Sequence, residues 1–330
     1  MNAHDTMLTY SVAIRTLGKS GELFREELLS IARQTVQPER VLVYIAQGYA
    51  RPEFTVGREE YVPVKKGMAA QRILPYDEIT SDAILMLDDD VRLQPDSAEK
   101  MLRAMEEYGA DCVGADTFGN HRMSLAGKLY AAAAGLVFPH WSRQWAFKIH
   151  RNGSFSYNNR PVKDFYRSQS CAGPASMWRK DTYLQLHMDD ELWLEELSFP
   201  YGEDAVQFYK LHKNGFRLGI LYSAGCEHLD GRSSSGAFRR SRQWIYTRTM
   251  ASFVIWWRTI YQPAPRRSFT RALTVCSFAL KCLWLLTVMC VLSVIKLSPQ
   301  YAASYIRGLR DGRRFVRTAR FRSLRSYLLQ

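Results

Sequence analysis

Apolar and polar positions follow two different periods along the first part of the chain. Residues 8–15 (LTYSVAIR) and 40–46 (RVLVYIA) are short apolar runs typical of buried strands, while residues 21–36 between them repeat apolar positions at helical spacing. A strand, a helix and a strand in this order predict two parallel strands joined by a right-handed crossover.

The same two periods continue to about residue 117. Residues 83–87 (AILML) predict a third strand, residues 95–109 a helix, and residues 111–118 (DCVGADTF) a further strand. Residues 67–79 suggest a helix that is broken by a proline. This part of the chain is therefore predicted to be an α/β layered fold of the nucleotide-binding type.

The pattern is less regular in the middle of the chain. Residues 118–200 interleave Gly, Asn and aromatic residues, whereas residues 202–216 form a clear amphipathic helical pattern followed by a strand-like run, FRLGILY. A loop rich in Gly, Ser and Arg is predicted over residues 223–240, and we find no internal repeat.

A long apolar run near the C-terminus predicts contact with a membrane. Residues 272–295 are apolar except for Lys281, and about 20 residues suffice to cross a bilayer as a helix. Arginines flank the run on both sides, so a single crossing would place one basic flank on the wrong side of the membrane. Two short dipping segments or an interfacial helix would avoid this, and residues 244–261 mix aromatics with Arg as interfacial helices do. The alternative is a buried helix of a soluble domain.

The charge of the chain is strongly asymmetric. The net charge is +13, yet residues 232–330 hold 19 Lys and Arg against one acid, Asp311, which leaves 26 basic and 31 acidic residues before them. Beside so apolar a run, this basic segment favours an anionic lipid surface, and we expect no nucleic-acid partner. We therefore predict a catalytic domain over residues 1–240 and a membrane-association region over residues 241–330.

The N-terminus and the cysteines suggest a cytoplasmic location. The first residues show no basic segment followed by an apolar one, so no secretory signal is predicted. Six scattered cysteines without a CxxC pair argue against a disulfide framework or a zinc site. We expect the protein to lie on the cytoplasmic face of the cell membrane, which would be a bacterial inner membrane.

Three consecutive carboxylates follow the third predicted strand. Asp88, Asp89 and Asp90 lie where ligands bind in open α/β sheets, beyond the carboxyl ends of the strands. Crowded carboxylates attract a hard divalent cation, and Mg²⁺ in turn binds phosphate oxygens. A solvated turn that caps the next helix is the other reading of these residues alone.

Other candidates for chemistry come later in the chain. Glu203 and Asp204 begin the amphipathic helix, where acids also occur simply because they complement the helix dipole. His228 lies in the loop GCEHLDG and could bind a metal or lie in a surface turn. Residues 171–181 (CAGPASMWRKD) could line a substrate cleft or form a tight turn.

This ordered set resembles family 2 glycosyltransferases of the GT-A fold. The shared features are the β-α-β start, a strand that runs into a DxD element, the small residues before Arg-Lys-Asp, Glu-Asp at a helix start and a later loop histidine. The resemblance covers about residues 8–250. It implies a Rossmann-like, nucleotide-binding mixed sheet with flanking helices, here followed by a basic and apolar C-terminal helical region.

The resemblance also implies roles for single residues. Asp204 matches the catalytic base and Glu203 a residue that orients it or the acceptor. Asp90 matches a ligand of Mg²⁺ or Mn²⁺, and His228 matches the histidine that completes the metal or diphosphate site. The nucleotide-sugar donor would be held by the remaining matched residues, which are Arg15, Thr16, Arg72, Asp88 and Asp89.

Together these residues imply an inverting, metal-dependent sugar transfer. The acceptor would be a hydroxyl of a glycan, lipid-linked in particular, used in cell-surface polysaccharide or glycolipid synthesis. One alternative is a polyprenyl-phosphate sugar synthase, whose phosphate acceptor needs no general base. An alternative of another class is a catalytically dead, membrane-anchored scaffold.

The sequence also departs from the family pattern. Ala46 and Gln47 stand where many relatives carry an acid after the second strand, so the nucleotide is left open. In RRSRQW, Gln243 precedes the Trp, whereas processive synthases of the family have Arg before it. This departure favours the addition of one or a few sugars. Arg239, Arg240 and Arg242 could contact a diphosphate or anionic lipid.

Overall fold

A mixed eight-stranded sheet forms the centre of the molecule. The computed structural model describes residues 8–117, 125, 129, 144–158, 160–197, 202–229, 241–265 and 269–329. The sheet has the order β3-β2-β1-β4-β10-β6-β11-β9, and β12-β5 and β7-β8 form two small antiparallel sheets. The strands are β1 (Tyr10–Thr16), β2 (Val41–Ala46), β3 (Glu59–Val64), β4 (Ala83–Asp88), β5 (Val91–Leu93), β6 (Cys112–Ala115), β7 (Phe147–Ile149), β8 (Phe155–Tyr157), β9 (Phe165–Arg167), β10 (Ala175–Arg179), β11 (Leu218–Leu221) and β12 (Cys226–His228).

Helices cover the sheet and continue beyond it. They are α1 (Glu22–Ala32), α2 (Ser97–Glu107), α3 (Lys180–Gln185), α4 (Glu203–Lys213), α5 (Arg242–Trp256), α6 (Phe269–Ile295), α7 (Gln300–Phe315) and α8 (Ala319–Arg322). A 3-10 helix spans Met188–Glu196, and a π-helical segment, Trp257–Tyr261, continues α5 directly.

The strand register explains why the first half of the sheet is so apolar. β1 pairs in parallel with β2 on one side and with β4 on the other, and β10 then joins β4 in the antiparallel direction. Strands covered on both faces read as nearly continuous apolar runs. All six residues of β2 and the first five of β4 are buried accordingly. The parallel group brings the carboxyl ends of β1, β2 and β4 to one edge.

Most of the predicted elements are confirmed, and the differences have local causes. The strands β2, β6 and β11 and the helices α1, α2 and α4 lie in the predicted segments, and β1 and β4 extend one residue beyond theirs. Residues 67–79 are not a regular helix but a series of hydrogen-bonded turns, in which Gln71 N–H donates to Gly67 O. The sequence did not predict β3, β5, β7 to β10 or β12, and β12 lies within the segment predicted as a loop. All of these except β3 have only three to five residues, which leave little periodicity.

The apolar run near the C-terminus is one continuous helix. Helix α6 has 27 residues and a mean hydropathy of 2.3, and only 6 % of its most apolar window is buried. Its length is therefore about 40 Å. It is not two short segments, and its exposure differs from that of a buried helix in a soluble domain. Among the described residues it is the one helix long and apolar enough to cross a membrane.

Helix α7 returns from the end of α6 and packs along α5. Two glycines permit this approach, because a Cβ at Gly308 would lie 2.7 Å from the backbone oxygen of Tyr246 and one at Gly312 would lie 3.1 Å from that of Met250. The hydroxyl of Tyr305 donates to the backbone oxygen of Cys282 in α6. The helices α5, α6 and α7 thus form one packed group.

A buried ion cluster connects this helical group to the sheet domain. The carboxylate of Glu191 accepts two hydrogen bonds from Arg258, at 3.0 and 2.8 Å, and one from Lys210 at 3.0 Å. The Arg258 and Glu191 side chains are fully buried, and Arg258 also donates to the backbone oxygen of Arg325. Buried charges need such partners, so the cluster fixes the C-terminal residues against the domain.

Candidate active site

The carboxyl ends of β1 and β4 bring the predicted donor-binding residues together. Arg15 and Thr16 end β1, Asp88 ends β4, and β1 and β4 pair so that Arg15 lies opposite Asp88. The Arg15 Nε donates to Asp88 Oδ1 at 2.7 Å, and the Thr16 hydroxyl donates to the carboxylate of Asp89. A cavity of about 250 Å³ opens here, and all five predicted donor-binding residues line it, Arg15, Thr16, Arg72, Asp88 and Asp89.

Arg72 connects this donor-side cavity with the acidic pair of α4. Its Nη2 lies 3.1 Å from both carboxylate oxygens of Asp88. Its Nη1 donates to Glu203 Oε1 at 2.6 Å and also to Asp204. One guanidinium therefore pairs with carboxylates from two separate elements, and it holds the predicted donor site and the predicted base in fixed relation.

The charges around Arg72 shift the pKa values of its partners. Burial disfavours the charged form of Asp88, yet the guanidiniums of Arg15 and Arg72 lower the pKa of Asp88 to about 2. Burial, reinforced by the charge of Asp204 and opposed by Arg72, raises the pKa of Glu203 to about 7. Asp88 is thus a fixed negative charge, whereas Glu203 can hold a proton near neutral pH.

Asp204 is the more accessible of the two acids that begin α4. Its side chain is 32 % exposed, compared with 9 % for Glu203. Its Oδ2 accepts a hydrogen bond from the N–H of Gly173 at 3.2 Å, and the Gly173 carbonyl accepts one from Arg15 at 2.7 Å. A Cβ on Gly173 would lie 2.3 Å from Asp204 Oδ1, so only glycine allows this contact. The small residues near position 173 therefore line the site.

Asp90 and His228 meet although 138 positions separate them in sequence. Strands β5 and β12 pair so that His228 lies opposite Val91, next to Asp90. The Nε2 of His228 lies 3.0 Å from Asp90 Oδ2, while Asp90 Oδ1 is buried and no donor among the described residues reaches it. A buried carboxylate oxygen without a partner is costly unless a cation binds it, so this pair suits a metal.

No complete metal cage is preformed in the described part of the chain, where three or more His, Cys, Asp or Glu side chains do not converge on one point. Mg²⁺ does not need such a cage, because it usually takes one or two protein carboxylates and completes its shell with phosphate oxygens and water. The fit of this site to a cation rests on the Asp90 oxygen that no described donor reaches and on the His228 nitrogen 3.0 Å from the other oxygen of that carboxylate.

A second, larger cavity lies on the other side of the acidic pair. Its volume is about 610 Å³, and Gly173, Glu203, Asp204 and His228 line one part of it. Most of the remaining walls are apolar side chains of the β7–β8 hairpin, α5, α6 and α7. The site thus lies between a polar cavity on the donor side and an apolar cavity that reaches the C-terminal helices.

Sequence reasoning missed a buried carboxylate behind the triplet. Glu27 of α1 is fully buried, and neither of its carboxylate oxygens has a hydrogen-bond partner among the described residues. Burial, together with the charges of Asp89, Asp88 and Asp90, raises the pKa of Glu27 well above its ordinary value. The sequence offered no signal, because an acid in an amphipathic helix normally lies on the exposed face.

The residues after β2 and the arginines near residue 240, at which the sequence departs from the family pattern or could bind an anion, are located as follows. Ala46 ends β2 as a buried residue, and Gln47 after it is exposed. Arg242 is exposed at the start of α5, whereas Arg239 and Arg240 lie outside the described residues.

Comparisons with known proteins identify the family and the fold of the chain. The profile of the family described as "Glycosyltransferase like family 2" matches residues 14–247, which is more than half of the chain. Among curated protein sequences no significant match is found.

Solved structures with similar folds are distant in sequence. Staphylococcus aureus TarS has a TM-score of 0.53 at 13 % identity, with 96 % of this chain and 50 % of TarS covered. A TarS fragment, residues 1–349 with UDP-GlcNAc, has a TM-score of 0.51 at 14 % identity, with 92 % and 80 % covered. The mannosyltransferase PcManGT from Pyrobaculum calidifontis, with GDP-Man and Mn²⁺, has a TM-score of 0.44 at 10 % identity, with 94 % and 87 % covered. The chain thus spans about half the length of the TarS chain in the first of these structures.

Proposed function

The chain belongs to glycosyltransferase family 2 and is a glycosyltransferase of the GT-A fold, and from that premise we propose that it transfers a sugar from a nucleotide-sugar donor to a hydroxyl group of a lipid-linked glycan, with inversion at the anomeric carbon. The observation that carries this proposal is Arg72, which ion-pairs with Asp88 in the donor-side cavity and with both acids of α4. We place the reaction in cell-surface polysaccharide or glycolipid synthesis.

The proposed donor site uses fixed charges of both signs. Arg15 and Arg72 supply positive charge beside Asp88, and Lys19 lines the same cavity. A nucleoside diphosphate carries negative charge, so these cations attract it. In this proposal Asp88 would lie nearer the ribose of the nucleotide, and Asp89, which accepts a hydrogen bond from Thr16, lines the same cavity.

Asp90 and His228 would hold Mg²⁺ or Mn²⁺ in this proposal. When bound, the cation supplies Lewis-acid stabilisation to the leaving diphosphate. The support from the chain is the buried Asp90 oxygen without a partner and the histidine nitrogen 3.0 Å from the other oxygen of that carboxylate.

Asp204 acts as the general base in the proposed transfer. Its carboxylate accepts the proton of the acceptor hydroxyl while the acceptor oxygen forms a bond to the anomeric carbon, and the bond from that carbon to the diphosphate oxygen breaks. A single displacement on the face opposite the leaving group inverts the anomeric configuration. Asp204 lines the large cavity, from which the acceptor would approach, and Arg72 and Gly173 hold its two oxygens in place.

We propose that the enzyme acts at the cytoplasmic face of a membrane, with α6 lying in the interface. If α6 crossed the bilayer, α7 would have to return through the hydrocarbon, because it packs back along α5. The side chains of Arg307, Arg310 and Arg314 are 57–70 % exposed on α7, and such charges are costly in hydrocarbon. At an anionic surface the same arginines would contribute favourably. Residues 241–330 would thus serve membrane association and residues 1–240 catalysis.

Polar substitutions on α6 should weaken membrane binding. We expect the triple variant Leu280→Gln, Leu283→Gln and Val294→Gln to lose at least about tenfold in partitioning to vesicles, since each exposed apolar side chain contributes roughly 1.5–3 kcal/mol when buried. Co-sedimentation with vesicles that contain anionic phospholipid measures this. The matched control replaces three exposed apolar residues elsewhere, Val162, Leu184 and Leu192, with Gln. If the α6 variant sediments like the control, α6 is not the anchor.

A donor screen tests the proposed function directly. We expect one nucleotide sugar to raise the melting temperature of the full chain only when Mg²⁺ or Mn²⁺ is present. At a donor concentration of 100 times Kd, binding stabilises the folded state by about 2.7 kcal/mol, which shifts Tm by several degrees. The measurement is a thermal-shift series with the common nucleoside diphosphate sugars, each with metal and with chelator. A full series without any stabilising nucleotide sugar would refute the proposal.

A further inference from the structure

The large cavity has walls of two different kinds. Near α4 it is lined by the acids Glu203 and Asp204, and both of these already pair with Arg72. Farther along, aromatic and aliphatic side chains of α5 and α6 line it, among them Trp256, Phe278, Leu285 and Met289. A volume of about 610 Å³ lies within the range of pockets that bind small molecules.

Two cations also line this apolar cavity. Lys281 comes from the middle of α6 and Arg248 from α5. The Lys281 Nζ donates to the backbone oxygen of Asn152 at 3.1 Å, and within the described ranges it forms no ion pair. The guanidinium of Arg248 lies 4.7 Å from the centre of the Trp244 ring. The ammonium of Lys281 among apolar walls attracts an anion, because a charge is costly to bury without a counter-charge, and the guanidinium of Arg248 lines the same cavity.

Contacts between the β7–β8 turn, α5 and α6 fix the position of Lys281. The turn between β7 and β8 carries Asn152, and the backbone oxygen of the preceding Arg151 accepts a hydrogen bond from Trp256 Nε1 at 2.9 Å. The Trp256 ring stacks on Phe278, one helical turn before Lys281, with 3.8 Å between ring centres. Lysine elsewhere on an apolar helix would extend to water, so these contacts keep its charge within the cavity.

The apolar side of the cavity continues onto exposed surface. Leu285 and Met289 line the cavity, while Leu283 and Val291 on the same helix are more than half exposed. A hydrocarbon chain that leaves the cavity along α6 would therefore remain in contact with apolar side chains. The ligand that matches the two cations and the apolar walls is an amphiphile with an anionic group and a long hydrocarbon chain.

We propose that Lys281 and Arg248 bind the phosphate of a lipid phosphate acceptor, whose hydrocarbon chain lies along α6 and whose sugar hydroxyl reaches Asp204. This inference rests on the proposed function, and it specifies the acceptor as a phosphate-bearing lipid. Lys281 and Arg248 are positioning residues here, since they contact the acceptor away from the reacting atoms.

The test compares three probes on the full-length protein in detergent. The probes are farnesyl phosphate, farnesol and inorganic phosphate, and the readout is tryptophan fluorescence, because Trp244 and Trp256 line the cavity. We expect farnesyl phosphate to bind at least about tenfold more tightly than either other probe. The variant Lys281→Met should lose about tenfold for farnesyl phosphate only, Lys281→Arg should recover most of it, and the control Lys296→Met, which changes an exposed lysine, should bind like wild type.

The outcomes separate this inference from the proposed function. Equal binding of farnesyl phosphate and farnesol, or of farnesyl phosphate and inorganic phosphate, would overturn the inference, as would equal binding by Lys281→Met and Lys296→Met. The thermal shift with nucleotide sugar and metal is recorded on each variant and should be unchanged by Lys281→Met. A protein that shows this shift but fails the lipid test keeps its proposed donor chemistry and loses only the lipid phosphate site.

Discussion

Replacing Asp90 with asparagine should remove the metal-dependent part of donor binding and reduce turnover by at least about a hundredfold. Asparagine keeps the size of the side chain but lacks the negative charge that a divalent cation requires. Stabilisation of the leaving diphosphate by a metal contributes several kcal/mol, and each 1.36 kcal/mol corresponds to about tenfold in rate. Calorimetric titration of the stabilising nucleotide sugar, with metal and with chelator, measures the first effect, and release of nucleoside diphosphate measures the second.

The control for this experiment is Asp96→Asn. Asp96 precedes α2 and forms an exposed ion pair with Lys100 at 2.9 Å. Exposed pairs contribute little to stability, so this variant should bind donor like wild type. If Asp90→Asn retains the difference between metal and chelator that wild type shows, then the pair of Asp90 and His228 is not the metal site.

Replacing Asp204 with asparagine should reduce turnover by about 10²–10⁴-fold while donor binding is kept. The amide oxygen can still accept the hydrogen bond from Arg72, whereas the NH2 group that replaces the second oxygen loses the hydrogen bond from the Gly173 N–H and cannot take the proton of the acceptor hydroxyl. Steady-state kinetics should show the loss in kcat. Titration with donor and metal should give nearly the wild-type Kd, since Asp204 does not line the donor-side cavity.

Asp181→Asn is the matched control, because Asp181 is the second residue of α3 as Asp204 is of α4, and it is exposed. Its turnover should equal that of wild type. Turnover retained by Asp204→Asn would favour the alternative in which the acceptor is a phosphate, as in a polyprenyl-phosphate sugar synthase. An ionised phosphate attacks without losing a proton, so such an enzyme would not need this base.

The order of motifs in the sequence was sufficient to predict the fold class. Parallel strands with long apolar runs and a connecting helix have few other arrangements, and the acids after β4 had to lie at the ligand-binding edge. The position of β10 between β4 and β6 could not be predicted from the sequence. It pairs in the antiparallel direction with strands that precede it by more than 60 residues, and no local pattern encodes such a pairing.

The sequence indicated residues that the structure brings close together, but not how they pair. Arg72 was assigned to the donor, and its contacts with Glu203 and Asp204 could not be predicted, since residues 67–79 are turns without a helical face. Asp90 and His228 meet only because β12 pairs with β5, and a three-residue strand is too short to recognise from its pattern. Their roles in catalysis stay predictions.

Lys281 shows a different limit of sequence reasoning. In the apolar run it is a single interruption, and a lysine there could face lipid headgroups, water or protein equally well. Its contact with the turn at Asn152 depends on a hairpin about 130 residues earlier, which three-residue strands do not reveal. Position within the fold, not composition, distinguishes it from the exposed Lys296.

The cluster around Glu191 has a practical consequence for anyone who wants a water-soluble preparation. A truncation after residue 240 would take away Arg258 and leave the buried Glu191 carboxylate with Lys210 as its one remaining cation among the described residues. Such a fragment would be prone to misfold and precipitate, and its behaviour would reveal nothing about lipid attachment. Redesign of the outer surface of α6 within an intact polypeptide is the sounder route to crystals.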